Sequence, residues 1–317
     1  MFERYKGSID SIYLYGSYGR GEGCYIDNKF YNDIDLLVVV KEDIGPVAKE
    51  EVLQRLKLIF DIKWVDIDYV FCNFFPKQKS SCFSLDLVNG SSKVYGDIDH
   101  RELMNVKGDN IGLADVQRLF LTRGWCCIGI VALLSSNSIS CDNAKFFRYQ
   151  AAKMAYAAID MFLIRSGRYT SSYAAKLERA LEDGLDLSYF SIDPLWLHDT
   201  KTNPSDLPLA QDEAFQIYMA VLRLFVEQYT SWLKPSRLLS FKIRAIFIYV
   251  FSIKRCLQLA KNVAKFEKGK VLRYFMLLKQ TLLIFDLYSY IKSGDFEGIL
   301  SISKGCEKLS IELVKNK

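Results

Sequence analysis

The sequence predicts an α+β protein, with a small mixed β-sheet in its first third and helices through the rest. Three observations carry this. Short apolar runs cluster before residue 100, at 9–15, 33–40, 63–71 and 92–96, each of strand length. From about residue 113 the apolar spacing turns helical and stays so. At 317 residues, with 21 Phe and 19 Tyr, the chain suffices for about two domains and a large core.

Taken in order, residues 9–15 alternate loosely and read as a strand entering a turn at Gly16-Ser17. Residues 33–40 form the second strand. Its run Leu36-Leu37-Val38-Val39-Val40 is continuous, as in a strand covered on both faces. Residues 49–60 carry apolar side chains at 52, 53, 56, 59 and 60, which is helical spacing. Residues 63–71 alternate and form the third strand, which Pro76 ends. A short helix is expected at 80–89 and a fourth strand at 92–96. Helices are then expected at 114–134, 143–166, 172–183, 210–232, 238–264, 270–291 and 296–315. Residues 184–209, with Pro194, Pro204 and Pro208, read as a long connection. The expected domains are a catalytic domain at 1–112, a helical domain at 113–233 and a basic helical extension at 234–317.

Composition excludes several classes. Eight Cys without a Cys-x-x-Cys pair, and only two His, argue against a zinc site. The start, Met-Phe-Glu-Arg-Tyr-Lys, lacks the apolar region of a signal peptide. With free thiols, this leads to the expectation of a cytoplasmic protein. The most apolar run, 245–253, lies between Arg244 and Lys254 and is too short to span a bilayer. The net charge of +5 is unevenly spread. Residues 234–317 hold 17 Lys+Arg against 6 Asp+Glu, a balance of +11, which leaves −6 for the rest. A basic end on an acidic front suggests an anionic partner, and also describes a solvated helical surface.

The chemistry sits at 14–35. Asp33 and Asp35 are two apart on a strand, so both side chains leave one face. Paired carboxylates repel unless a cation lies between them, and Mg²⁺, or Mn²⁺ in its place, suits oxygen donors. Gly16 and Ser17 begin a turn able to hold phosphate. A phosphate cradle beside a metal site is equipment for phosphoryl or nucleotidyl transfer.

Leu14-Tyr15-Gly16-Ser17, a spacer, then Asp33-Ile34-Asp35 resembles the nucleotidyltransferase superfamily, which includes DNA polymerase β, poly(A) polymerases, CCA-adding enzymes and antibiotic nucleotidyltransferases. Gly19-Arg20-Gly21 matches many bacterial members. The spacer is longer than usual and suggests an enlarged loop. The resemblance covers 9–100 and extends over 114–183, but not 234–317. It implies in-line transfer of a nucleoside monophosphate from a triphosphate to a hydroxyl, releasing pyrophosphate. Asp33 and Asp35 would hold metal, joined by a third acid from the next strand. Asp66 and Asp68 are the candidates. Asp68, between Ile67 and Tyr69-Val70-Phe71, fits the family pattern better. Gly16 and Ser17 would bind phosphates. Arg20 would neutralise phosphate charge or pair with Glu22. From the helical part, Lys153 would grip the triphosphate, Ser171, Ser172 and Tyr173 would contact base and phosphate, and Tyr169 or Tyr173 would stack on a base. The expected acceptor is a hydroxyl on a small molecule. RNA, tRNA or a nucleotide is the alternative acceptor, and a binding protein with a relict site is the non-enzymatic reading.

Overall fold

Strand β1 (Ile9–Tyr15) forms where apolar and β-branched residues allow pleating, and it ends at Gly16. It pairs antiparallel with β4 (Ile34–Val40) and with β6 (Ser92–Tyr95), while β4 pairs parallel with β5 (Val65–Phe71). The sheet order is β5-β4-β1-β6. The structure is a computed structural model and describes residues 7–232, except 27–28, 32, 62–63 and 136–137, together with Ile284. The helices expected at 238–264, 270–291 and 296–315 lie outside the described residues apart from Ile284.

Parallel pairing of β4 and β5 needs a crossover, and helix α2 (Gly45–Phe60) supplies it. A short helix α1 (Gly16–Gly19) follows β1, and the spacer folds into a hairpin of β2 (Tyr25–Ile26) and β3 (Lys29–Phe30). Helix α3 (Cys82–Gly90) starts at a reciprocal Ser81–Ser84 capping box. Both faces of the sheet are covered. Tyr13, Leu37 and Val39 pack with Phe75 and Leu87 on one side. Ile34 and Val65, with Leu53 and Leu56 of α2, pack on the other.

Among the described residues five α-helices follow: α4 (Leu113–Val131), α5 (Cys141–Ser166), α6 (Tyr173–Glu182), α7 (Pro194–Thr202) and α8 (Gln211–Thr230). Between α4 and α5 lies a two-residue strand, β7 (Ser138–Ile139), which pairs with β8 (Leu209–Ala210) just before α8. Helix α7 falls inside the stretch expected as a connection. Pro194 begins it, because the missing N–H and fixed φ of proline suit a first turn.

The chain folds as two compact units that interleave along the sequence. The first takes the residues up to Asp115, then Phe162–Leu185 and Pro194–Pro204. The second takes Val116–Met161, Asp186–Asp193 and the described residues from Ser205 on. The sequence suggests a continuous helical domain from 113, yet α6 and α7 belong with the sheet. Side chains explain this: Tyr169 Oη donates to Asp86 at 3.0 Å, and the Ser172 hydroxyl donates to Glu22 at 2.7 Å. In the second unit, Phe120 stacks on Phe225 and Tyr229, and Arg148 donates to the Leu207 carbonyl at 2.6 Å.

Tyr13 ties the chain after β6 back to β1. Its hydroxyl accepts from the His100 amide at 2.8 Å and reaches Asp99 at 3.4 Å. Arg101 donates to Asp99 through Nε at 2.8 Å and Nη2 at 2.6 Å. The bond from Arg101 outweighs burial and lowers the Asp99 carboxyl to about 2. A depressed carboxyl stabilises above its unfolded pKa of about 4 and loses that contribution as pH falls through the folded value. The stability gap between wild type and Asp99→Asn, read by urea unfolding, will be full at neutral pH and vanish between about pH 4 and 2. Leu37 is fully buried at the sheet centre and Leu58 is 81% exposed. Leu37→Ala will cost about 2–5 kcal/mol and Leu58→Ala no more than about 0.5 kcal/mol in the same assay.

Candidate metal and nucleotide site

The site begins where β1 stops. Gly16 has a φ of 66°, left-handed backbone that glycine adopts without strain. A Cβ placed there would lie 2.0 Å from Asp35 Oδ2. Glycine at 16 thus lets the carboxylate lie directly against the turn. Ser17, the next residue, is 6% exposed.

Register then assembles the acids. Tyr15 faces Asp35 across β1 and β4, and Asp35 faces Asp66 across β4 and β5. Asp33 precedes β4 and shares the face of Asp35. One carboxylate oxygen from each of Asp33, Asp35 and Asp66 lies within 4.8 Å of the others. Three anionic oxygen donors this close are a poor arrangement by themselves and a good one for a hard divalent cation. The donor set and the glycine cradle both fit such an ion.

The third acid of this cluster is Asp66, where the sequence pointed to Asp68. The reason is register: Asp68 faces Leu37, two residues farther along β5. Its carboxylate instead accepts from Tyr15 Oη at 2.9 Å. Burial, then the charges of Asp35 and Asp68, hold the Tyr15 phenol well above its ordinary pKa. It is therefore a neutral donor throughout the physiological range.

Arg20 extends from the turn, with its side chain 8% exposed. Its Nε donates to Glu22 at 2.9 Å, Nη1 is 3.8 Å from Asp86, and Cζ lies 4.9 Å from the Tyr173 ring centre. Burial acts to lower its pKa, but the Tyr173 phenol, Asp86 and Glu22 outweigh it and raise the value. The pairing with Glu22, one of two fates open to Arg20 from sequence, is present. Ser172 is the N-cap of α6. Its hydroxyl and the Tyr173 amide both donate to Glu22, at 2.7 and 2.8 Å. Ser171 is 5% exposed, and its Cβ lies beside Gly90. Lys153 belongs to the second unit, its Nζ 4.9 Å from the Tyr149 ring centre.

Sequence reasoning missed two features. The buried lysines Lys176 and Lys201 face the Tyr173 ring at 5.7 and 4.4 Å, and no local pattern announces such a meeting. The hairpin in the spacer packs Tyr25 and Phe30 edge to face against Tyr18 and tilted against each other, with ring centres about 5 Å apart. The aromatic spacing of 25 and 30 was its available signal.

Residues 2–87 match the family model described as a nucleotidyltransferase domain. The chain therefore carries a nucleotidyltransferase domain at its N-terminal end, followed by a helical region. Among solved structures, a toxin–antitoxin with AMP-PNP is 24% identical, covering 32% of this chain and 73% of that one, with a TM-score of 0.23. Spectinomycin adenyltransferase AAD(9) from Enterococcus faecialis, with ATP and spectinomycin, is 14% identical, covering 70% and 94%, with a TM-score of 0.42. Neither similarity is close enough to carry an inference about this chain. No curated protein matches it.

Two outcomes test this geometry without any assay of activity. In EDTA, Asp66→Asn will stabilise the protein by up to about 1 kcal/mol, because a like charge is removed. In excess Mg²⁺ the order will reverse, because binding to the folded state stabilises wild type more. Gly16→Ala will weaken Mn²⁺ binding, read by calorimetry, because the new methyl group displaces Asp35.

Proposed function

We propose that the protein is a metal-dependent nucleotidyltransferase that moves a nucleoside monophosphate from a triphosphate to an acceptor hydroxyl. One observation carries this: three carboxylates, from the start of β4 and from β5, converge beside a Gly-Ser turn, inside a segment matching the nucleotidyltransferase family. Asp33, Asp35 and Asp66 would hold Mg²⁺, or Mn²⁺ in its place. When bound, such an ion neutralises triphosphate charge and acidifies the acceptor hydroxyl.

The chain's own residues do the rest. Ser17 binds the phosphates that depart, and the terminal nitrogens of Arg20 offset their charge. Asp66, the most exposed of the three acids, takes the hydroxyl proton on a carboxylate oxygen. The acceptor oxygen bonds to the α-phosphorus, the α–β bridge breaks, and pyrophosphate leaves with the bond's electrons.

The acceptor we propose is a hydroxyl on a small molecule, which the Gly-Ser-Tyr-Gly-Arg-Gly form and the compact sheet unit support. An anionic acceptor, RNA or a nucleotide, is the second reading, favoured by the +11 balance of residues 234–317. Among the described residues no helix is long and apolar enough to cross a membrane.

Asp33→Asn, Asp35→Asn and Asp66→Asn will each lower transfer of labelled nucleotide by a factor of about 100 or more, with the fold retained. Asp68→Asn will stay within about tenfold of wild type, because Asp68 is outside the cluster. Near-normal turnover in Asp66→Asn would sink the assignment. Salt separates the two acceptor classes: apparent affinity for an anionic acceptor falls steeply as salt rises, and that for a neutral one does not.

A further inference from the structure

Glu22 plays no part in the transfer just described, yet its carboxylate is bound on both oxygens. Oε1 accepts from the Ser172 hydroxyl at 2.7 Å and from the Tyr173 amide at 2.8 Å, and Oε2 accepts from Arg20 Nε at 2.9 Å. Ser172 also caps α6, accepting from the Ala175 amide at 3.4 Å. A carboxylate at a helix N-terminus gains from the open amides and the helix dipole. Glu22 therefore joins the turn after β1 to a helix 150 residues further along the chain.

That junction also fixes Arg20. The arginine stem runs against Gly90, where a Cβ would lie 2.8 Å from Arg20 Cγ. Its guanidinium lies over the Tyr173 ring, the first residue of the helix that Glu22 caps. The bond to Glu22 uses Nε, on the stem side. Nη1 makes only a long ion pair with Asp86 at 3.8 Å, beyond hydrogen-bond reach, so the outer fork can turn its N–H donors to a phosphate. The Ser172 hydroxyl and the Tyr173 amide both donate to Glu22.

We propose that Glu22 is a positioning residue for the triphosphate. Its carboxylate ties the phosphate turn to α6 and aims the Arg20 guanidinium, without itself touching the nucleotide. The inference rests on the nucleotidyl-transfer reading.

The test compares Glu22→Ala with Glu22→Gln. Glutamine keeps an oxygen for Ser172 and Tyr173 but loses the charge that holds Arg20. Three measurements are made: melting temperature, amide hydrogen exchange over residues 16–22 and 170–177, and calorimetric binding of ATP, GTP, CTP and UTP with Mg²⁺. Glu22→Ala will speed exchange in both segments together and weaken triphosphate binding by about tenfold. Glu22→Gln will restore protection and melting temperature while binding stays weak. Recovery of binding along with stability in Glu22→Gln would make Glu22 a structural cap only and overturn the proposal. Tighter binding in Glu22→Ala would overturn it too, by making Glu22 an anion that the phosphates must displace. If wild type binds a triphosphate and both variants bind it equally well, this inference alone fails. If wild type binds none of them, the transfer reading fails and takes this inference with it.

Discussion

Asp35 and Asp66 stand side by side because β4 and β5 run parallel in a register that pairs them. The site depends on this constraint. Asp33 joins through the two-residue period of the strand, and the turn at Gly16 joins because β1 pairs Tyr15 with Asp35. A shift of one residue between β4 and β5 would send Asp35 and Asp66 to opposite faces. Apolar side chains packed on both faces of β4 hold the register. Leu37 and Val39 fill the core beneath α3, while Ile34, Val38 and Val40 fill the other side. Hydrophobic burial, which is non-directional, thus fixes a directional arrangement of charge.

The arrangement opposes its own stability. Three carboxylates within 4.8 Å repel, and the covered strands hold them there. Nearby polar groups manage the remaining charges. Tyr15 keeps its proton and hydrogen-bonds Asp68, the fourth acid on that face. Farther along β1, Tyr13, Asp99 and Arg101 lock the chain after β6 to the sheet. Strain of this kind is common at functional sites, where local rules are broken and the surrounding fold compensates.

The second half of the chain contributes to the first in an unexpected way. Helices α6 and α7 leave the helical series and join the sheet unit. Glu22, Asp86 and Tyr169 supply the hydrogen bonds that hold α6 there. Buried cations follow: Arg20, Lys176 and Lys201 all face the Tyr173 ring. A buried charge is costly alone, and here aromatic faces and acids share the burden. The surroundings of Arg20 therefore come from three distant stretches of chain.

Much of this was legible in the sequence, and the division has a physical cause. The four sheet strands, α2, α3 and most of the later helices follow from local periodicity, since burial imposes a period of two on strands and near 3.6 on helices. The Gly-Ser turn and the Asp33–Asp35 pair were legible because both are short-range features of one segment. The third acid was not. Asp66 and Asp68 share a face of β5, and only the pairing of β5 with β4, set by the crossover through α2, selects Asp66. Helix α7 was hidden because Pro194 reads as a breaker until its place in a first turn is known. The link from Glu22 to α6 was hidden because its partners lie 150 residues away. Sequence determined which residues could form strands, helices and a carboxylate pair, because those properties are local. Tertiary structure decided which third acid completes the cluster, which helices join the sheet and where Arg20 points, because register and long-range hydrogen bonds exist only once separate segments meet.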